Sequence, residues 1–204
     1  MAALGIKLVA VFCMVVDHSA VVFSGRLTPA SYFVLRCIGR LAFPLFVFLA
    51  ADGCRRTKNR PRYLVRLLVF GAVSQLVYRP ALHLEGLNVL FTLAAGVAAV
   101  MLAEWVRAGG AGRAPLGFLG AAALLACTPV LDYGWQGVLL LPLLYYASSR
   151  TYTAWSAAAI LLLVYWPGQG REYWWYLLAA VASIPLMLAY NGRRGYGGKA
   201  AQYG

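Results

Sequence analysis

Long apolar runs separated by short polar breaks leave this chain few ways to fold. Eight recur, at roughly 5–23, 31–52, 63–79, 87–107, 116–131, 134–149, 153–168 and 173–190. A helix rises about 1.5 Å per residue, so crossing a bilayer's hydrocarbon core takes about 20 apolar residues. The runs approach that length. They are too long, and alternate too little, to be barrel strands. No polar stretch between them is long enough to form a soluble domain. Composition points the same way: 62% of the 204 residues are hydrophobic and only 12% are charged, against about 25% charged in ordinary soluble domains. The expected fold is therefore all-α, a polytopic integral membrane helical bundle of about eight transmembrane helices. It reads as one domain over residues 1–192, followed by a basic, Gly-rich tail at 193–204. The first run lacks a small-residue cleavage site, so no cleaved signal peptide is expected. Between runs five and six, Asp132-Tyr133-Gly134 reads as a tight turn at the membrane surface. Two half-helices around a re-entrant break are the alternative.

The charge balance sets orientation. The chain carries 18 Lys and Arg against 6 Asp and Glu, a net +12. In a membrane protein such an excess reports topology and anionic lipid, and no nucleic-acid partner is expected. With the N-terminus in the cytoplasm, 13 of the 18 cations fall inside and 3 outside, while Arg36 and Arg40 lie within the second run. Both termini are thus expected to be cytoplasmic, in a multi-pass protein of the cytoplasmic membrane. The cysteines Cys13, Cys37, Cys54 and Cys127 are scattered with no CxxC, so neither a disulfide framework nor a metal site is implied.

Against this apolar background the first run, GIKLVAVFCMVVDHSAVVF, contains Asp17 and His18. A carboxylate at membrane depth costs about 2.5–3.5 kcal/mol on insertion scales, so the sequence must offset it. The second run carries Arg36 and Arg40 one helical turn apart, hence on one face. The linker Ser24 to Ala30 is short, so the two helices are expected to be neighbours with all three charges at similar depth. Asp17 with Arg40 reads either as a structural ion pair or as part of a site. Arg36 either joins it or snorkels to the outer surface. His18 beside Asp17 is a candidate for proton transfer. Pro44 is expected to bend the second run. Asn88 and Thr92 at the start of run four, and Asp132 with Tyr133, fall at the same outer level. Asn88 and Asp132 are equally readable as helix caps, and His83 reads as a solvated loop residue.

On the cytoplasmic side, DGCRRTKNRPRYLVR holds Arg55, Arg56, Lys58, Arg60, Arg62 and Arg66 against the single acid Asp52. The cluster is a topology signal. It is equally able to bind a polyanion, either a lipid headgroup or the phosphates of a nucleotide-type cofactor.

The pieces KLVAVFCMVVDHSA, GRLAFPLFVFLAADGCRRTKNRPRYLVRLLVFG, NVLFTL, DYGWQGVLL and YNGRRG occur in one order over most of residues 5–195. In this the chain resembles the TraX family, named for the conjugative-pilus pilin acetylase, among the multi-helix transmembrane acyltransferases. The resemblance implies cytoplasmic acetyl-CoA as acyl donor. It implies an amine or hydroxyl acceptor at the membrane or its outer face: a protein N-terminus, a glycan or a lipid-linked sugar. It makes His18 the family's Asp–His histidine and Arg40 the arginine before Phe43-Pro44. It also matches Asn88 to the asparagine of NVLFTL, Asp132 and Tyr133 to DYG, and Arg55, Arg56, Lys58 and Arg60 to the basic segment. One departure stands out. Relatives continue into a final aromatic helix, whereas this chain ends GGKAAQYG, so that helix is expected to be missing.

The residues fit acyl transfer on their own terms. A neutral imidazole takes a proton from the acceptor near pH 7. Arg40, Asn88 and Tyr133 are candidate donors to the developing oxyanion, with Asp17 and Arg36 setting the local field. Two other classes compete: a non-catalytic membrane assembly factor for surface fibres, and a small ion-coupled transporter using Asp17, His18 and Asp132 as a relay. The arginine pair argues against a cation route.

Overall fold

The computed structural model describes residues 1–82, 86–166 and 170–193. His83 and the tail beyond residue 193 lie outside the described residues. Among the described residues a helix forms in each of the eight apolar runs. The first is α1 (Ala3–Val22), and the second is split into α2 (Pro29–Gly39) and α3 (Ala42–Arg56). Then come α4 (Arg60–Leu82), α5 (Val89–Gly109), α6 (Ala114–Ala126), α7 (Gly134–Tyr146) and α8 (Arg150–Val164). The last run holds α9 (Arg171–Val181) and α10 (Ser183–Leu188). Among the described residues no strand forms, only an isolated parallel bridge between Leu87 and Leu131.

Four helical stretches are long and apolar enough to cross a membrane: Ala3–Val22, Pro29–Arg56, Arg60–Leu82 and Val89–Val130. Their exposed faces are apolar too. Leu76 is 78% exposed and Phe118 74% exposed. Whole helix faces of this kind are unfavourable in water and match a lipid surround. The chain is a helical membrane protein.

The second run breaks at Arg40–Leu41, one turn before Pro44. A proline has no N–H for the carbonyl four residues back, and its ring crowds that carbonyl. Here that carbonyl belongs to Arg40, so the helix ends at Gly39 and restarts at Ala42. The expected effect of Pro44 is present as a break in the helix, at the carbonyl four residues before the proline.

The chain forms two compact units, Met1–Leu49 with Ser148–Gly204, and Ala50–Ala147, the division falling inside α3. In the first unit α1 packs on α2, α2 on α9, and α8, α9 and α10 on one another. The buried face of α1 holds Ile6, Ala10, Cys13 and Ala20. These recur at helical spacing, and Asp17 falls on the same stripe. Two backbone bonds, Ala3 N–H to the Arg193 carbonyl (2.8 Å) and Asn191 N–H to the Met1 carbonyl (3.0 Å), tie the first residues to the late Asn-Gly-Arg segment.

In the second unit α5 packs against α4, α6 and α7. Lipid tails are as apolar as leucine, so close packing rather than water exclusion holds such helices together. Gly96 provides it at the α5–α7 crossing. A Cβ placed there would lie 2.8 Å from that of Leu141. At the α4–α5 corner the Leu87 N–H donates to the Val130 carbonyl at 2.8 Å. This sets the segment before α5 beside the one leading to α7.

Candidate functional site

The first unit brings together three of the residues singled out above. The Asp17 carboxylate takes Arg36 Nη1 on Oδ2 at 2.6 Å and Arg40 Nη2 on Oδ1 at 3.0 Å. The i, i+4 spacing on α2 places the two guanidiniums on one face, and each takes one oxygen. Arg36 turns inward to Asp17 instead of snorkelling. The three side chains are 13–22% exposed, well withdrawn from solvent, which strengthens charge pairing and raises the cost of breaking it.

Gly39 makes this approach possible. A Cβ there would fall 2.1 Å from Asp17 Oδ1, so any side chain would displace the carboxylate. Arg40 is fixed further by its own Nε–H, which donates to the Arg36 carbonyl at 3.4 Å. Its guanidinium also lies near the rings of Tyr176 (5.4 Å to the centroid) and Tyr165 (6.0 Å). Such cation–π contacts favour a desolvated guanidinium. Tyr176 is itself held by Phe33 and Tyr173 at centroid distances of 5.6 and 5.9 Å. His18 follows Asp17 on α1 and is half-buried. It sits about 100° around the helix from Asp17, between the packed stripe and the exposed Val15 and Val22.

The remaining outer-level residues belong to the second unit. Asn88 is buried and caps α5: its Oδ1 accepts the Leu90 N–H at 3.0 Å. Its Nδ2 donates to the Gly71 carbonyl and to Gln75 Oε1, both at 2.8 Å. Both amide hydrogens are thereby used, so the side chain serves the α4–α5 corner and has no N–H left for an oxyanion. Thr92, one turn on, is fully buried, and its hydroxyl has no partner among the described residues. Asp132 and Tyr133 form the turn before α7, closed by Gly134 at φ +53°, a backbone that side chains resist. Asp132 is exposed and Tyr133 half-buried. The N-cap of α7 is Tyr133, without a side-chain cap bond.

The basic segment divides. Arg55 and Arg56 are exposed, and Arg56 Nε pairs with Asp52 at 2.7 Å. Lys58 and Arg60 line a cavity of about 360 Å³ together with Thr57, Pro61, Met101 and Glu104. Arg60 Nη2 donates to the Tyr145 hydroxyl at 2.6 Å, with its guanidinium 5.6 Å from that ring's centroid. Tyr146, perpendicular to Tyr145, donates its hydroxyl to Glu104 Oε1 at 3.0 Å. Sequence reasoning missed Glu104, Tyr145 and Tyr146 here, and Tyr165 and Tyr176 beside Arg40. Among the described residues no group of three or more His, Cys, Asp or Glu gathers to hold a metal ion.

A helical membrane protein with a carboxylate clamped by two arginines inside its helix packing, and a basic cavity on another unit, is the class this geometry defines. The chain belongs to the TraX family: residues 3–203 match the family described as TraX protein. It is also similar to a "Probable fimbrial assembly protein FimC, serogroup H1" of Dichelobacter nodosus, 35% identical over 114 residues. That match covers 49% of this chain and 46% of the relative, so the chain spans about half the length of that protein. No solved structure matches.

Proposed function

We propose that this protein is a multi-pass acetyltransferase of the cytoplasmic membrane that modifies a component of surface-fibre assembly. The donor is cytoplasmic acetyl-CoA, and the acceptor is an amine or hydroxyl at the membrane or its outer face. The chain crosses eight times with both termini inside, following the 13-to-3 partition of cations. The tryptophans support this threading. Trp105, Trp135, Trp155, Trp166, Trp174 and Trp175 are all exposed and lie near helix ends, where indoles anchor at the membrane interface.

The observation that carries the catalytic reading is the Asp17–Arg36–Arg40 cluster on an apolar helix pair, next to His18. Packing alone does not require it, because replacing buried charges with aliphatics is often neutral or stabilising. Ionisable groups at this depth mark function. His18 accepts the proton as the acceptor's nitrogen or oxygen attacks the thioester carbonyl carbon. Arg40 faces the developing oxyanion. Collapse of the tetrahedral intermediate breaks the C–S bond, the protonated His18 gives its proton to the departing sulfur, and the CoA thiol and acetylated acceptor are released. Asp17 and Arg36 position Arg40 and set the field around His18. Arg55, Arg56, Lys58 and Arg60 receive the cofactor's phosphates.

The relative's name favours a second reading, a non-catalytic assembly factor, and the structural employment of Asn88 agrees with it. One experiment separates the two. Protein in lipid nanodiscs is incubated with acetyl-CoA and candidate acceptors, such as a fibre-subunit peptide with a free N-terminus, and thiol release is followed. The acetyltransferase releases thiol and is stabilised by acetyl-CoA against thermal unfolding. His18→Ala abolishes release with unfolding unchanged. An assembly factor shows neither release nor stabilisation.

A further inference from the structure

The cavity beside the basic segment contains an acid that a receptor for phosphate alone would exclude. Glu104 lines it together with Lys58 and Arg60. A carboxylate a few ångströms from a bound phosphate repels it. The acid is nevertheless held in place by the Tyr146 hydroxyl at 3.0 Å. Among the described residues Glu104 and Lys58 form no ion pair, with each other or with any third group. Arg107, one turn along α5, stacks on the Tyr146 ring at 4.3 Å instead of pairing with Glu104. Arg60 keeps three of its five N–H groups after its bonds to Tyr145 and the Cys54 carbonyl. Two adjacent tyrosines with perpendicular rings thus hold one anion receptor and one acceptor of N–H groups, both lining the same cavity.

We infer that this cavity binds a phosphate that carries an amino group, the phosphate on Lys58 and Arg60 and the amino N–H on Glu104. The inference rests on reading the basic segment as a phosphate receptor, and it makes Glu104 the residue that sets specificity there. Two sources carry this chemistry at the inner membrane face: the head of an aminophospholipid and the adenine nucleotide end of acetyl-CoA. The volume of about 360 Å³ falls in the range of small-molecule sites.

The test compares ligands that differ only in the N–H donor, on whole protein in phosphatidylcholine nanodiscs, whose lipid has no N–H. Glycerophosphoethanolamine is titrated against glycerophosphocholine, and adenosine 3′,5′-bisphosphate against purine riboside 3′,5′-bisphosphate, whose base lacks the amino group and has no N1–H. The amino member of one pair is expected to bind on the order of tenfold tighter, the scale of one charge-assisted hydrogen bond. The pair that discriminates identifies the source. Glu104→Gln removes the preference, and Lys58→Ala weakens both members alike. The inference is overturned if neither pair is discriminated, or if the preference survives Glu104→Gln. Thiol release measured in parallel keeps the two readings apart: turnover without discrimination sinks only the cavity assignment, and discrimination without turnover sinks only acetyl transfer.

Discussion

The two charged centres of this protein are built on opposite plans. Around Asp17, one carboxylate and two guanidiniums satisfy one another, with Tyr165 and Tyr176 close to Arg40. Around Glu104, the charges are held by neutral tyrosine hydroxyls and left unpaired with each other. A closed cluster adds little net stability over an apolar core but is costly to break by removing one partner. An open one contributes little to folding and is available to a ligand. The difference teaches that paired charge marks where single substitutions do damage, whereas unspent charge marks where a ligand can be received.

Four measurements break or sharpen this contrast. The largest effect belongs to Asp17→Ala, which strands two guanidiniums among apolar helices. About 3–5 kcal/mol of stability should be lost, read as a large fall in the thermal midpoint in detergent. Adding Arg36→Met and Arg40→Met should restore much of that stability without restoring thiol release. Recovery of activity in the triple variant would show that the cluster serves the fold alone. Next comes Gly39→Ala, whose methyl group occupies the place of Asp17 Oδ1. Overpacking of this kind costs about 1–3 kcal/mol, and thiol release should fall with it because Arg40 loses its anchor. Asn88→Ala removes the α5 cap and should cost about 0.5–2 kcal/mol, with turnover per folded molecule retained. Loss of turnover at unchanged stability would return Asn88 to the reaction. The smallest stability effect is expected at the open centre, where Lys58→Ala should stay within about 0.5 kcal/mol of wild type while phosphate ligands bind more weakly.

Most of the first centre was legible in the sequence. Arg36 and Arg40 stand four residues apart, and the short Ser24–Ala30 linker makes their helix a neighbour of the one carrying Asp17. Both relations are local. The tyrosines near Arg40 were not legible, because Tyr165 and Tyr176 lie more than a hundred residues away in sequence and no periodicity announces them. Glu104 is different. It is an acid in the apolar run GVAAVMLAEWVRAG, the same signal that singled out Asp17, and applying that signal throughout would have found it. Asn88 shows the converse. Its position before an apolar run supports a cap and a site equally, and only the bonds to Gly71 and Gln75 decide. The turn at Asp132-Tyr133 was readable because the triplet Asp-Tyr-Gly separates two apolar runs and Asp and Gly favour turns; Gly134 takes a positive φ there.

The break at Arg40–Leu41 has an electrostatic consequence. One anion and two cations leave the Asp17 cluster with a surplus of one positive charge. Because α2 stops at Gly39, its closing carbonyls gather at that point, and the end of a helix acts as roughly half a negative charge. α3 starts two residues later at Ala42, so its positive end meets the same point and offsets that partial charge. The surplus is left to the electron-rich faces of Tyr176 and Tyr165 beside Arg40, so aromatic rings rather than backbone dipoles accompany the second guanidinium into the apolar interior.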